Sequence, residues 1–324
     1  MNDRPHCNAP DANALAVFNK AAGDALRLEI LRVLAQDSYG VLELCEIFEH
    51  KQSGMSHHLK VLAEAGLVAK RREGNSIFYY RALPGSSQGL GLLQQQLYAT
   101  VDQLVLPDAI NARLQQIRQD RVKVSQQFFE QQAEQFKEQQ DLIAKYPVYG
   151  EAVAEMLGNT ELAKHETAIE VGPGAGEFLP ILAKQFTQVV ALDNAPAMLE
   201  KARQACEQHA ISNIDFVGGD TLNLRQREGV ADCVVMNMVL HHTSSPADIF
   251  MDIAQSLVRG GVLIVTDLCR HDQDWAKTAC GDVWLGFDPG ELHRWAMLAG
   301  LQQGHSKYLA LRNGFQIQLQ QFVK

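Results

Sequence analysis

Ala168-Ile169-Glu170-Val171-Gly172-Pro173-Gly174-Ala175-Gly176-Glu177-Phe178 decides the fold of this chain. An apolar stretch ends beside an acid, glycines follow at every second position, and an amphipathic run begins. That order reads as a buried β-strand turning through a tight loop into a helix. In such a loop a bound molecule touches bare backbone. The spacing narrows the choice of ligand. The dinucleotide fingerprint G-x-G-x-x-G needs glycine at position 177, where Glu177 stands.

Working outward, Gln188–Asp193 is a second apolar strand ending in an acid. An acid roughly 20 residues past such glycines hydrogen-bonds ribose hydroxyls in doubly wound folds. The same Asp193 also suits the N-cap of the helical run that starts at Asn194. Ile214–Asp220, Asp232–Asn237 and Gly260–Asp267 read as three more strands, each ending in a polar residue. Helical patterns fall between them, at 197–207 and 247–258. Strands alternating with helices make a mostly parallel α/β sheet, with its ligand crevice at the carboxyl ends of the strands.

The E-x-G-x-G-x-G loop and this series of strands resemble the class I S-adenosylmethionine (SAM) methyltransferases of the UbiE-like kind, from about Glu151 to the C-terminus. The resemblance implies a Rossmann-like, seven-stranded methyltransferase sheet that binds SAM or S-adenosylhomocysteine (SAH). It assigns Gly172, Gly174 and Gly176 to the methionine moiety, and gives Glu170 the task of organising the loop. Asp193 and Asn194 fall to the ribose, Met198 to the adenine face, Asp220 and Thr221 to the adenine edge, and Asn237 to the methionine end. His241, His242, Asp267 and His271 fall on the acceptor side, where a histidine could take a proton during methyl transfer. His241 and His242 are equally suited to capping the next helix. Trp275, Trp284 and Phe287 on that side suit a small organic acceptor. Asn237-Met238-Val239-Leu240 stands where DNA-base methylases carry an N-P-P-Y type of sequence, so base methylation is disfavoured.

The first third reads differently. Phe18–Gln36 is one amphipathic run, Val41–Phe48 a short helix, and Gln52–Val68 a turn, a helix and a glycine stop at Gly66. Val68–Arg81 reads as a β-hairpin with the basic arm Lys70-Arg71-Arg72 and a tip at Gly74-Asn75. Two helices joined by a turn and followed by a hairpin form a winged helix-turn-helix. The pattern of Ser56, His58, Leu59, Leu62 and Ala65–Val68 resembles the ArsR family of bacterial repressors. That implies operator DNA as partner, with Ser53, Ser56, His57 and Lys60 facing the major groove. Lys70, Arg71 and Arg72 would hold phosphates, although the same charges suit a solvated strand edge. It also implies a homodimer paired through the first helix and the 90–106 helix. Only Cys45 stands where metal-sensing relatives carry a thiol cluster, with Gly40 and Leu42 at the other positions, so no metal site is expected.

These readings fix a two-part chain: a winged helix-turn-helix at 1–106, a helical linker or lid at 107–150, and a methyltransferase domain at 151–324. The length of 324 residues suits about two domains. The net charge of −9 excludes a protein that coats nucleic acid. Residues 1–106 carry 10 Lys+Arg against 11 Asp+Glu, and the rest 19 against 27, so the acid sits in the second part. In the linker, Ile110, Leu114, Ile117, Val124 and Phe128 mark one face of a long helix, broken at Arg121. Phe128, Phe129 and Phe136 suit either plain core or a lid over the cofactor. No apolar run spans a membrane and six scattered cysteines point to reduced thiols, which together predict a cytoplasmic chain. Two functions fit: a regulator that reads SAM or SAH, or a small-molecule methyltransferase with an autoregulatory DNA-binding half. A metal or redox sensor is a third, poorly supported.

Overall fold

The computed structural model describes residues 12–35, 37–73, 76–84, 89–132 and 136–324, with the backbone alone for residues 132, 136, 225 and 226. Gln36, the hairpin tip Gly74-Asn75 and the first 11 residues lie outside the described set, as does the side chain of Phe136. Contacts divide the chain after Arg118 into two compact units.

The first unit holds α1 (Ala12–Ala22), α2 (Ala25–Val33), β1 (Tyr39–Gly40), α3 (Val41–Ile47), α4 (Gln52–Glu64), β2 (Val68–Glu73), β3 (Ser76–Arg81) and α5 (Leu90–Val101). The expected single run over 18–36 is two helices. Gly23 interrupts it, and Asp24 then caps α2 by accepting the Arg27 amide at 3.0 Å, which only a fresh helix start requires. Met55, Leu59 and Leu62 recur on one face of α4 and are fully buried. The glycine stop holds. Gly66 takes φ +69, and the amides of Gly66 and Leu67 reach back to the carbonyls of Ala63 and Leu62 at 3.0 and 2.9 Å. That paired closure needs a left-handed residue at its corner. The strands β1, β3 and β2 form an antiparallel sheet in that order, so the unit is a winged helix-turn-helix.

One helix, α6 (Asp108–Gln132), runs through the unit boundary. It runs on through Arg121, whose charge interrupts the apolar face but not the helix. The buried stripe passes from Ile110 and Ile117 to Arg121 and Ser125, and Val124 points out at 66% exposure. Arg121 fits the stripe because its guanidinium lies 5.3 Å over the Trp284 ring and donates to the Ser244 carbonyl at 3.0 Å.

The second unit continues with α7 (Phe136–Ile143), α8 (Tyr146–Gly158), β4 (Thr167–Val171), α9 (Leu179–Gln185), β5 (Gln188–Asp193), α10 (Pro196–Gln208), β6 (Ile214–Gly218), β7 (Ala231–Asn237), α11 (Pro246–Ser256), β8 (Leu257–Leu268), α12 (Trp275–Cys280), α13 (Pro289–Leu298), β9 (Gln302–Ala310) and β10 (Gln316–Val323). Its seven-stranded sheet has the order β6-β5-β4-β7-β8-β10-β9. The first five strands are parallel, and β10 is antiparallel to both neighbours. The interior strands β4 and β7 are apolar on both faces because helices cover both sides of the sheet. Strand order reverses between β4 and β7, which is where such sheets open their ligand crevice. No helix among the described residues is long and apolar enough to cross a membrane.

Candidate functional site

At that reversal the strand ends bring Glu170, Asp193, Gly218 and Asn237 to one edge. Register pairs Glu170 with Ala191 and Val235, and Asp193 with Gly218. The glycine loop follows β4 directly, with Gly172, Gly174 and Gly176 at φ +66, +57 and +78. A side chain at Gly172 would run into Val239, whereas the Cβ direction of Gly174 meets nothing within 4 Å. The loop is therefore packed on one side and open on the other, as a backbone cradle must be.

Glu170 is buried, and the Asn237 amide donates to its Oε1 at 3.4 Å. Burial pushes its carboxyl up to about 8, against the smaller pull of that hydrogen bond. Glu170 Oε2 and Asn237 Oδ1 are both buried with no hydrogen-bond partner among the described residues. Two buried oxygens left unpaired are costly until a ligand group pairs with them. Asp193 accepts the Ala195 amide at 2.8 Å, so it shapes the turn into α10. Burial raises its carboxyl to about 6, and the backbone hydrogen bonds of Ala195 and Asn194 oppose that rise.

Met198 is buried with Ala195 against Phe128 and Phe129 of α6, and Gln126 donates to the Asn194 carbonyl at 3.3 Å. The aromatics of α6 thus cover the segment that follows Asp193. Tyr146 and Tyr149 of α8 were missed in the sequence. Their hydroxyls lie within the electrostatic reach of Glu170 and Glu177, and burial, the larger cause, carries Tyr146 up to about 12. Lys137 of α7 bridges to Glu177 at 2.9 Å. The signal available was the i, i+3 spacing of the two tyrosines just upstream of β4.

Two residues expected at the adenine edge already have partners within the chain. Thr221 is buried and its hydroxyl donates to Asp252 at 2.8 Å, which ties it to α11. Asp220 is exposed, and one carboxylate oxygen accepts the Leu222 amide at 3.0 Å as the cap of the short 3-10 helix at Thr221–Arg227. Its second oxygen is the one left to meet a ligand.

On the acceptor side His241, His242 and Asp267 come together, and Asp282, not foreseen in the sequence, joins them. All four are at least nine-tenths buried. His241 Nδ1 lies 2.8 Å from Asp267, whose carboxylate also accepts the Leu268 amide at 2.7 Å. Burial opposes charge on the His241 ring, but Asp267 and Asp282 outweigh it and carry the imidazole up to about 9. His242 is driven well below its ordinary value by burial and by the His241 charge beside it. His271 stands apart, half-buried against Phe315, with burial taking it down to about 4. The cluster has no open face. Phe129 stacks edge-on against His242 at 5.1 Å, Ser125 donates to the His242 carbonyl at 3.2 Å, and Trp284 is fully buried. The amides of Val283 and Trp284 both bond the His241 carbonyl, at 2.9 and 3.0 Å. The expected histidine pair is thus covered in this structure by α6 and by the segment at 281–284.

In the first unit Ser53, Ser56, His57 and Lys60 line one exposed face of α4 at i, i+3, i+4 and i+7. Lys70 and Arg72 are exposed on β2. Arg71 is not: it is 2% exposed, with Nε 3.1 Å from buried Glu73. Side chains alternate across a strand, so of three consecutive cations the middle one turns inward.

Comparison with known proteins matches the two units separately. The model of the methyltransferase domain family matches residues 169–265, and that of the bacterial regulatory protein arsR family matches residues 24–70. An uncharacterized HTH-type transcriptional regulator of Methanocaldococcus jannaschii is 44% identical over 64 residues, covering 19% of this chain and 70% of its own length. The chain is an ArsR-type regulator fused to a methyltransferase domain. The ArsR part is also similar to the arsenical resistance operon repressor of Bacillus subtilis, 44% identical over 61 residues, with 18% of this chain and 58% of the repressor covered. The methyltransferase part is similar to the protein-L-isoaspartate O-methyltransferase of Methanoculleus marisnigri, 26% identical over 125 residues and 39% of this chain. The chain spans about half that relative, 54% of its length. A chain from the complex between the Haloferax volcanii Trm112 methyltransferase activator and a methyltransferase shares the fold at a TM-score of 0.50, with 16% identity, covering 60% of this fusion and 96% of that chain.

Proposed function

We propose that this fusion is a transcriptional regulator whose methyltransferase-type domain holds SAM or SAH as a controlling ligand, and whose α4 face reads operator DNA. The single observation that carries the sensor reading is the acceptor side, filled by Phe129, Ser125 and Trp284 over a buried histidine cluster. An acceptor side covered by the chain's own aromatic and histidine side chains suits recognition better than transfer. When bound, SAM supplies an activated methyl on a sulfonium. Two features of the crevice support that ligand: the open side of Gly174, and the unpaired buried oxygens of Glu170 and Asn237. Gly172, Gly174 and Gly176 would cradle the methionine part, Glu170 and Asn237 would take its ammonium donors, and Asp193 with Asn194 would hold the ribose. Phe128 and Phe129 would close over the adenosine side beside Met198.

The proposal extends to a cytoplasmic homodimer and to functional parts at 1–106, 107–150 and 151–324. The N-terminal half of α6 supports coupling: Ile110 and Ile117 belong to the first unit's core, and Arg113 donates to the Ile47 carbonyl at 2.7 Å, just ahead of α4. Its C-terminal half holds the aromatics beside Met198. Fluorescence anisotropy on the chain's own upstream DNA, titrated with SAM and then SAH, tests the reading. A tenfold shift in DNA affinity is a coupling of about 1.4 kcal/mol. Specific DNA binding indifferent to both ligands would reject it. A working methyltransferase is the second reading, favoured by the His241–Asp267 pair at 2.8 Å, which has the geometry of an oriented general base. It requires α6 to lift from His242, and methyl turnover from labelled SAM onto extracted small molecules would establish it.

A further inference from the structure

We propose that His241, His242 and Asp282 form a divalent transition-metal site that fastens the segment at 281–284 onto the end of β7. The three offer one ligand atom each, all within 4.8 Å of one another and all buried. His241 Nε2 lies 3.8 Å and His242 Nδ1 3.6 Å from the same Asp282 oxygen. Zinc bound to nitrogen and oxygen at about 2.0–2.2 Å sets neighbouring ligand atoms roughly 3.3–3.6 Å apart. Both distances to the shared Asp282 oxygen are thus within a few tenths of an ångström of that spacing, and the two imidazoles close on the cation as it binds.

A second observation concerns His241 itself. Its Nδ1 is held by Asp267 at 2.8 Å, and Asp267 is fixed in turn by the Leu268 amide at 2.7 Å. A carboxylate gripping one ring nitrogen while the other faces a shared centre is the arrangement that orients metal-ligating histidines. The Gly281 carbonyl, 3.4 Å from His242 Nδ1, stands beside the centre as a further oxygen donor. Two imidazoles and a carboxylate suit zinc and, with open positions, iron(II). No motif spacing along the chain reveals this site. His241 and His242 are adjacent, and Asp282 lies 40 positions on, brought back only because the Val283 and Trp284 amides bond the His241 carbonyl. The site carries no step of methyl transfer. Its effect is to keep the acceptor side shut, and it stands whether the cofactor crevice serves sensing or transfer.

The full-length chain, dialysed against chelator, is titrated with zinc in competition with a chromophoric chelator, and then with cobalt(II) as a spectroscopic probe. One equivalent is expected to bind, with tetrahedral cobalt bands and no thiolate charge-transfer band. Asp282→Asn and His242→Gln should each abolish that equivalent, whereas His58→Gln in the first unit should keep it. Asp267→Asn acts through His241 and should weaken affinity about 10–100-fold without losing the band shape. Unchanged SAH affinity certifies that each variant is folded. The native chain alone suffices if a variant fails to fold, since a thiolate band or no uptake at micromolar metal overturns the proposal. Retention of the equivalent in Asp282→Asn overturns it equally, leaving the cluster an ion pair only.

Discussion

Glu170, at the crevice proposed for the cofactor, ties that site to proton binding. Its carboxyl rises from an ordinary 4.5 to about 8 through burial, so between those values the folded chain keeps a proton that the unfolded chain has released. Folding stability therefore falls as pH rises through that window and levels off above about 8, the reverse of the usual behaviour of a salt-bridged carboxylate. Thermal melts of the ligand-free chain should show this decline, and Glu170→Gln should flatten it. An identical slope in the variant would show that Glu170 is not the group responsible. Donors arriving from a ligand favour the ionised form, so SAH binding near pH 7 should release a proton, measurable as a buffer-dependent binding enthalpy. Asp193→Ala should weaken SAH at least tenfold, since a polar pair is left half-made; calorimetry with unchanged affinity would unseat the ribose assignment. In the wing, exposure separates neighbours. Replacing Lys70 and Arg72 with Ala should lower DNA affinity and flatten the log–log salt slope by about 2, near 0.9 per lost phosphate contact. Arg71→Met should act on stability instead, by about 3 kcal/mol or more, because it strips buried Glu73 of an ion-pair partner at 3.1 Å. Equal melting temperatures for Arg71→Met and the native chain would contradict that.

Elements were legible where their cause is local. The strand ahead of Gly172 and the stop at Gly66 each rest on a few adjacent residues, and each is found as read. Gly66→Ala should accordingly cost about 1 kcal/mol, the penalty of a left-handed corner with a Cβ, and urea unfolding measures it. A stability unchanged by the substitution would mean that the corner relaxes. Elements whose cause is distant were not legible. β9 is exposed along most of its length and carries Gln302-Gln303-Gly304-His305-Ser306 with no alternation of apolar residues; it exists because β10 offers it a pairing edge. The charge of Arg121 reads as a break in a helix face, and only Trp284, far along the chain, makes it part of the buried stripe. The inward turn of Arg71 had a faint signal, the acid two positions later on the same face of the strand. The histidine cluster had none, because burial depends on α6 and on the 281–284 segment together.

At the scale of the whole molecule, one helix has contacts in both units. Through Arg113 and Ile117 α6 is built into the winged helix, and through Ser125, Phe128 and Phe129 into the cover of the cofactor segment. A regulator needs a two-state element that both ligands bias. A stiff helix is suited to carry such a bias, and glycines are suited to remove it. Gln119 and Asp120 are exposed, so replacing both with Gly changes no buried side chain while costing about 1 kcal/mol of local helix propensity. The expected result is separation of functions. SAH should bind the variant with native affinity by calorimetry, and DNA with native affinity by anisotropy, while the ligand-induced shift in DNA affinity falls from about tenfold towards none. Retention of the full shift would show that the signal travels by another route, such as rearrangement of subunits in a dimer. Loss of DNA binding outright would instead place α6 in the scaffold of the winged helix. Because the free energies are reciprocal, the same experiment has an internal check: in the native protein operator DNA must change SAH affinity by the same factor by which SAH changes DNA affinity, and in the glycine variant both factors must vanish together.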